Sequence, residues 1–409
     1  MIKLSLSALF FAYSSAVFAF PGNESLHAVL AKDPTIQAAK AELKAKDLGA
    51  DNIADTPYEW ELALTGQQRR YQANESNSNE WNLGLQHGVR WPNKTSLDKS
   101  LSRYLRDQAA LEYELVKEET IRDYILLWLN WTELKNREVL LNQQLNLAKE
   151  NLDIVTKRVQ ANDASLQDAN FANAELTGLS SQHTMAELAS QQAEAALRSR
   201  FPQSDLNSFA LPDPKSPDGT GEEWKQRILN ANPRIALARI SVSQAHAEAA
   251  RSQAERTPDP TLGVFVASEA QNTEKIIGIN VSLPIAGAKR AREAQRTRAM
   301  AAVADQQSHL VLQQAEVSAG LSHQGVLKSI AAWQFAEQSA QAQTEATRRS
   351  KNGFVLGEIE LQSLLLTQRQ AIAASEQALS FRVAALKAIY MQDVDAHWNW
   401  YPMEHPSSP

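Results

Sequence analysis

The sequence predicts an α+β membrane protein, built from long antiparallel coiled-coil helices and four β-strands per chain. Three observations predict it. Two stretches of over a hundred residues lack proline, small and apolar side chains recur through them in steps of three and four, and two short segments alternate apolar with polar side chains.

Met1-Ile-Lys3, the apolar run Leu4 to Phe18 and the small residues near Ala19 read as a secretory signal peptide over 1–19. The polar stretch Pro21-Gly-Asn-Glu-Ser25 ends that run short of the roughly 20 apolar residues a membrane anchor needs. Further on, even Tyr124 to Leu129 is bounded by Asp123 and Asn130, so a membrane-embedded part must be a barrel. The chain has no cysteine, which excludes disulfides, thiolate metal sites, a cysteine nucleophile and a lipid on cysteine. Its formal charge of -6 is carried with dispersed Lys and Arg, so no nucleic-acid footprint is present.

Ala31-Lys-Asp-Pro-Thr-Ile36 is answered about 200 residues later by Ala231-Asn-Pro-Arg-Ile235, where Asp33 and Asn232 are placed to cap helices opening on Pro34 and Pro233. These helices run on towards Pro57 and towards Pro258 or Pro260. The period then changes. Trp60, Leu62 and Leu64 alternate along one strand; after a polar loop from Gln72 to Asn79, Trp81, Leu83, Leu85, His87, Val89 and Trp91 share one face of the next. In the second half Leu262, Val264 and Val266 lead through Glu269 to Lys275 into Ile277, Ile279, Val281 and Leu283. This alternation places Leu85, Val89, Ile279 and Val281 towards lipid, and Gln86, Gly88 and Asn280 towards a lumen. Trp60, Trp81 and Trp91 suit an aromatic girdle.

The hairpins end at Pro92 and Pro284, and a long helix is expected to follow each at once. A helix from Asn93 to Gln160 would be roughly 100 Å long. Leu141, Leu145, Ala148, Leu152, Val155 and Val159 mark its seam, and Ala172, Leu176, Leu179, His183, Ala186, Ser190, Ala193 and Leu197 that of its partner. A third seam runs from Leu312 through Val326 and Trp333 to Ala340. The helix reversals are expected at Asn162 and Gly353, since Asn and Gly tolerate left-handed backbone. The chain thus divides into a signal peptide, a first repeat over 20–201 with a hairpin at 58–91, a proline-rich linker at 202–221, a second repeat over 222–392 with a hairpin at 261–283, and a tail at 393–409.

Four strands cannot close a barrel, because open edges would leave backbone groups unpaired in hydrocarbon. Three copies would supply twelve, so a homotrimeric outer-membrane barrel is expected. No two of the eight histidines stand at the spacing of a helical metal site, and the helical carboxylates Glu118, Glu119, Asp123 and Glu150 lack a convergent partner. No catalytic residue, cofactor site or metal site is assigned.

The Asp33-Pro34 and Asn232-Pro233 helix starts, the joints Val89-Arg-Trp-Pro92 and Val281-Ser-Leu-Pro284, and the turn Arg349-Ser-Lys-Asn-Gly353 with Glu358-Ile-Glu-Leu361 follow one another in an order that resembles the TolC-like outer-membrane efflux proteins. The first-half counterpart of the turn reads Arg158-Val-Gln-Ala-Asn162, followed by Leu166-Gln-Asp168. The resemblance implies a trimer in the bacterial outer membrane whose helices continue into the periplasm as a tunnel. It would take cargo from an inner-membrane transporter of the resistance-nodulation-division type through a periplasmic adaptor, or membrane fusion, protein. It implies adaptor contact at Asn162, Asp163, Ala164 and Ser165 and at Gly353, Phe354, Val355, Leu356 and Gly357, with Pro57, Pro92, Pro258 and Pro284 at the strand-helix joints. Lacking a cysteine for a lipid and ending soon after its last helix, the chain is similar to the heavy-metal cation (cobalt, zinc, cadmium) branch. A component for type I protein secretion and a periplasmic coiled-coil scaffold without a pore are the competing readings.

Overall fold

The computed structural model describes residue 26 and residues 29–72 and 76–398. The expected signal peptide and the end of the tail lie outside them. The elements, in order, are α1 (Pro34–Ala54), β1 (Trp60–Tyr71), β2 (Ser76–Gly88), α2 (Pro92–Gln160), α3 (Leu166–Arg200), α4 (Gly221–Ala231), α5 (Pro233–Ala254), β3 (Thr261–Glu269), β4 (Glu274–Ser282), α6 (Ala288–Val355) and α7 (Leu361–Asp395). They fall into two compact units. Among the described residues, one holds Pro34–Glu118 and Leu229–Ala319, the other Glu119–Ile228, 320–398 and the residues before Pro34. No described helix is long and apolar enough to cross a membrane.

The first unit contains a four-stranded antiparallel sheet in the order β1-β2-β3-β4. Its register puts like with like: Leu62, Leu85, Val264 and Ile279 form one cross-strand row, and Leu64, Leu83, Val266 and Ile277 the next. These side chains are exposed, Ile277 to 85%. The alternate rows, Glu61, Gln86, Gly263 and Asn280 among them, belong to the opposite face. That second face is not wholly polar, because Phe265 stands there over Gly278, where an added Cβ would overlap its ring.

The strands differ from expectation at both ends. Asn77, Ser78 and Asn79 belong to β2, where Ser78 is buried and accepts a hydrogen bond from the Gln271 N–H at 2.7 Å. Glu274 and Lys275 open β4, so the two loops are shorter than the polar composition suggests. Val89, Trp91 and Leu283 lie beyond the strands. Val89 therefore has no place on the sheet's apolar rows, although its N–H still reaches Pro260 O at 2.7 Å. The Pro284 joint also differs: α6 begins at Ala288, four residues later than an immediate strand-to-helix passage would have it.

The second unit is a helical bundle. Leu141, Leu145, Ala148, Leu179, Ala186 and Ile372 form one core cluster, in which small residues let α2, α3 and α7 approach closely. Val326, Ile330 and Ala385 join α6 to α7, with Trp333 packed beside them. Trp128 and Trp131 are buried mid-helix. Within this apolar packing Asn151 Nδ2 donates to Gln368 Oε1 at 3.0 Å, both side chains buried. The helix α4 begins at the last residue of the expected linker, Gly221, and otherwise lies in the second repeat ahead of Pro233, where no helix was expected. Its signal is a capping box: the Glu223 N–H donates to Thr220 Oγ1 at 3.2 Å and the Thr220 N–H to Glu223 Oε2 at 2.7 Å.

Candidate functional site: the helix reversals and the strand-helix joint

The reversals lie in the helical unit, where the ends of α2, α3, α6 and α7 meet around Val155, Ala172, Phe354, Leu361, Leu364 and Leu365. Both use the same hydrogen-bond pattern. After α2, the Asp163 N–H donates to Arg158 O at 2.8 Å and the Asn162 N–H to Val159 O at 3.0 Å; after α6, the Glu358 N–H donates to Gly353 O at 2.8 Å and the Gly357 N–H to Phe354 O at 3.1 Å. These are Schellman motifs, in which a left-handed residue releases the chain while the last carbonyls stay bonded. Asn162 has φ 56 and Gly357 has φ 78.

Gly353 is therefore not the left-handed residue expected of it. It sits inside α6, and a Cβ added there would lie 2.8 Å from Ile359 Cδ1. The hydrogen bonds match Asn162 with Gly357, four residues beyond the alignment read from the sequence. Phe354 also departs from expectation. It is 4% exposed, packed in the chain's own core, with the Arg158 guanidinium 5.3 Å from its ring centroid and Arg158 Nη1 donating to its carbonyl at 3.2 Å. Val355 and Leu356 are 59% and 73% exposed, and Leu166, across the first reversal, is 75% exposed. Asp163 accepts from Arg158 Nε at 2.8 Å, and Ser165 caps α3 in a reciprocal box with Asp168. The reversals thus present a small apolar step beside carboxylates, held on a rigid four-helix end.

The strand-helix joint lies in the sheet-bearing unit and holds a charge network that sequence reasoning missed. Arg90, one residue before Trp91-Pro92, donates to Asp98 through Nε at 2.8 Å and Nη2 at 3.0 Å, and to Asp259 at 2.9 Å, and also binds Glu255. Lys94 reaches Asp259 at 3.0 Å and Glu255 at 3.1 Å. Arg251 binds Asp98, and Arg290 donates to the Glu255 carbonyl at 2.6 Å. Trp91 adds two bonds to the opposite joint, from its ring to Pro258 O at 2.9 Å and from its backbone to Asp259 Oδ1 at 3.3 Å. Pro57 stands one residue before Tyr58, whose ring lies where a Cβ on Gly88 would have to go.

Burial alone would push the Asp259 carboxyl up; bonds from Tyr58, Lys94, Arg90 and the Trp91 N–H outweigh it and hold the group below its usual range. Burial likewise opposes the Arg90 charge, and its carboxylate partners raise its pKa regardless. Tyr58 moves the other way: burial, then the Asp259 carboxylate, push the phenol up to about 12. Each carboxylate here is bound by a cation, which makes the joint a brace and leaves none of them free to act as a base. The sequence carries one hint of this network, that Arg90 falls on the polar side of the strand alternation.

No protein-family model matches the chain, and no curated protein matches it by sequence. Solved structures do match by shape. The outer membrane protein VceC of Vibrio cholerae superposes with a TM-score of 0.76 at 16% identity over 93% of this chain and 96% of its own. The CmeC outer membrane channel of Campylobacter jejuni gives 0.76 at 16% identity over 94% and 86%, and the open MtrE outer membrane channel of Neisseria gonorrhoeae 0.66 at 15% over 92% and 89%. The four-stranded sheet, the helix pairs with their matched reversals, and these superpositions over nearly the whole of each chain agree: the chain has the fold of the TolC-like outer-membrane channels.

Proposed function

We propose that this chain is the protomer of a homotrimeric outer-membrane exit duct, a passive conduit and not an enzyme. The observation that carries the reading is the sheet: it turns whole rows of aliphatic side chains outward and ends in two edges, β1 and β4, that pair with nothing among the described residues. Outward apolar rows suit lipid, and open edges require partners in hydrocarbon, which three copies would provide in one twelve-stranded barrel. The helix pairs then extend the conduit into the periplasm.

On this reading the reversals 162–165 and 353–357 meet a periplasmic adaptor protein, which links the duct to an inner-membrane transporter of the resistance-nodulation-division type. The exposed Val355, Leu356 and Leu166 supply the contact, while Phe354 supports it from within. The likeness of the sequence to the heavy-metal branch names cobalt, zinc and cadmium ions as the cargo to test first, with type I protein secretion as the alternative. The test is fractionation with crosslinking. A heat-modifiable trimer in the outer membrane that crosslinks to an adaptor through Val355 is expected; a soluble monomer would sink the architecture.

A further inference from the structure

The first turns of α2 border a cleft whose lining is unusual in charge. It carries three cations, Arg90, Lys99 and Arg103, and three hydroxyls, Thr95, Ser96 and Ser100, and no carboxylate. Arg90 is held in the brace, but Lys99 and Arg103 are exposed and form no ion pair among the described residues. The spacing explains the grouping: positions 95, 96, 99, 100 and 103 recur every three or four residues and so share one side of the helix. The opposite side, with Lys94, Asp98, Leu101 and Ser102, is buried, so the cationic side cannot turn into the chain's own core. Asp98, on the buried side of α2, is neutralised by Arg90 and Arg251, and Asp107, four residues beyond Arg103, is exposed and does not line the cleft.

The cleft lies at a telling level. Trp91 immediately precedes α2 and is exposed, and Trp60, also exposed, opens β1 at the same end of the sheet, stacked on His87 with ring centroids 4.7 Å apart. Exposed indoles at the end of an apolar sheet mark a membrane-water boundary. Lys99 follows Trp91 by eight residues, about 12 Å along the helix, a distance a long basic side chain can shorten by reaching back. Lys289, Arg292 and Arg298 are likewise exposed at the start of α6, shortly after β4 ends.

We propose that this cleft seats the phosphate of an anionic phospholipid from the periplasmic leaflet, an inference that rests on the outer-membrane reading above. Arg103 offers a planar fork to two phosphate oxygens, Lys99 a mobile point charge and the Ser96 hydroxyl a neutral donor, while the Thr95 and Ser100 hydroxyls donate to the Trp91 and Ser96 carbonyls. The lipid tails would then run along the aliphatic rows of the sheet, anchoring the trimer at a fixed depth.

The test is native mass spectrometry of the assembled protein after passage through vesicles of phosphatidylethanolamine with or without phosphatidylglycerol. The wild type should retain phosphatidylglycerol in preference, and Lys99→Gln with Arg103→Gln should cut that preference by about fivefold for each cation removed, with the trimer intact. The exchanged pair Lys99→Arg and Arg103→Lys should retain it. Equal retention by wild type and the Gln variant overturns the seat while leaving the duct standing. Retention of inorganic phosphate without preference between the two vesicles overturns the lipid source. A chain that enters neither vesicle overturns both readings together.

Discussion

Tyr58 Oη donates a 2.8 Å hydrogen bond to Asp259 Oδ2, and each of the two residues directly follows a proline, Pro57 or Pro258. The bond therefore ties the point where the chain enters β1 to the point where it enters β3, across a separation of 201 residues.

Removing the hydroxyl should weaken this joint without opening a cavity, since Tyr58→Phe keeps the ring over Gly88. A hydrogen bond to a charged group contributes about 1.5–3 kcal/mol, and that is the expected loss in thermal or denaturant stability of the assembled protein. The same pair sets a pH window. Asp259 is held below its ordinary 3.8, so its contribution is complete above that value and disappears as pH falls through the depressed one. Tyr58 is raised from 10.0 to about 12, so its contribution is complete below 10.0 and is lost as pH rises through about 12. The contribution of this pair should hold level between roughly pH 4 and pH 10 and fall on both sides, with the alkaline fall reduced in Tyr58→Phe. An unchanged alkaline limb in that variant would remove Tyr58 from the account.

At the reversals, Gly357→Val should cost about 1–3 kcal/mol locally, because a β-branched residue resists positive φ. Asn162→Gly should be nearly neutral. Hydrogen exchange at the amides of Glu358 and Asp163 reads each site separately, and protection at Glu358 should collapse only in the valine variant. If protection at Glu358 survives in Gly357→Val, the assignment of the left-handed position fails.

On the sheet, Val281→Arg should reduce assembled trimer by the equivalent of about 2–4 kcal/mol, against far less for Asn280→Arg, since the two side chains take opposite faces. Quantifying heat-modifiable trimer in membrane fractions decides it; equal losses would mean the faces are exchanged or that neither meets lipid.

Phe354 and Val355 are neighbours with opposite roles. Phe354→Ala should destabilise the reversal by about 3–5 kcal/mol through loss of core packing. Val355→Asp should leave stability and membrane location unchanged but abolish efflux and adaptor crosslinking, because a carboxylate buried by a partner without a counter-charge is costly. Wild-type resistance in Val355→Asp would move the contact elsewhere on the helices.

Much of this was legible in the sequence, for identifiable reasons. The seam from Leu141 to Val159 and the rows through Leu85 and Ile279 repeat one physical demand many times, so individual exceptions do not obscure them. What escaped depends on single residues. Gly353 and Gly357 stand four apart in one apolar-glycine run, and only the hydrogen bonds from Glu358 and Gly357 decide which is left-handed. Ser78 looked like loop because the strand's upper end is polar on both faces. The network of Arg90, Lys94 and Asp98 has no local signature, because Glu255 and Asp259, which bind Arg90 and Lys94, and Arg251, which binds Asp98, lie over 150 residues away in the chain.

The unpaired edges of β1 and β4 have a genetic consequence. On the trimer reading each chain must lend both edges to its neighbours, so a chain with one faulty edge spoils any ring it enters. Co-expressed with the normal allele, such a chain would leave only a minority of rings free of it, and the mutation would behave as dominant. Faults confined to the Asn151–Gln368 pair or to Tyr58 act within one chain, and would be recessive where the neighbours can hold the ring closed.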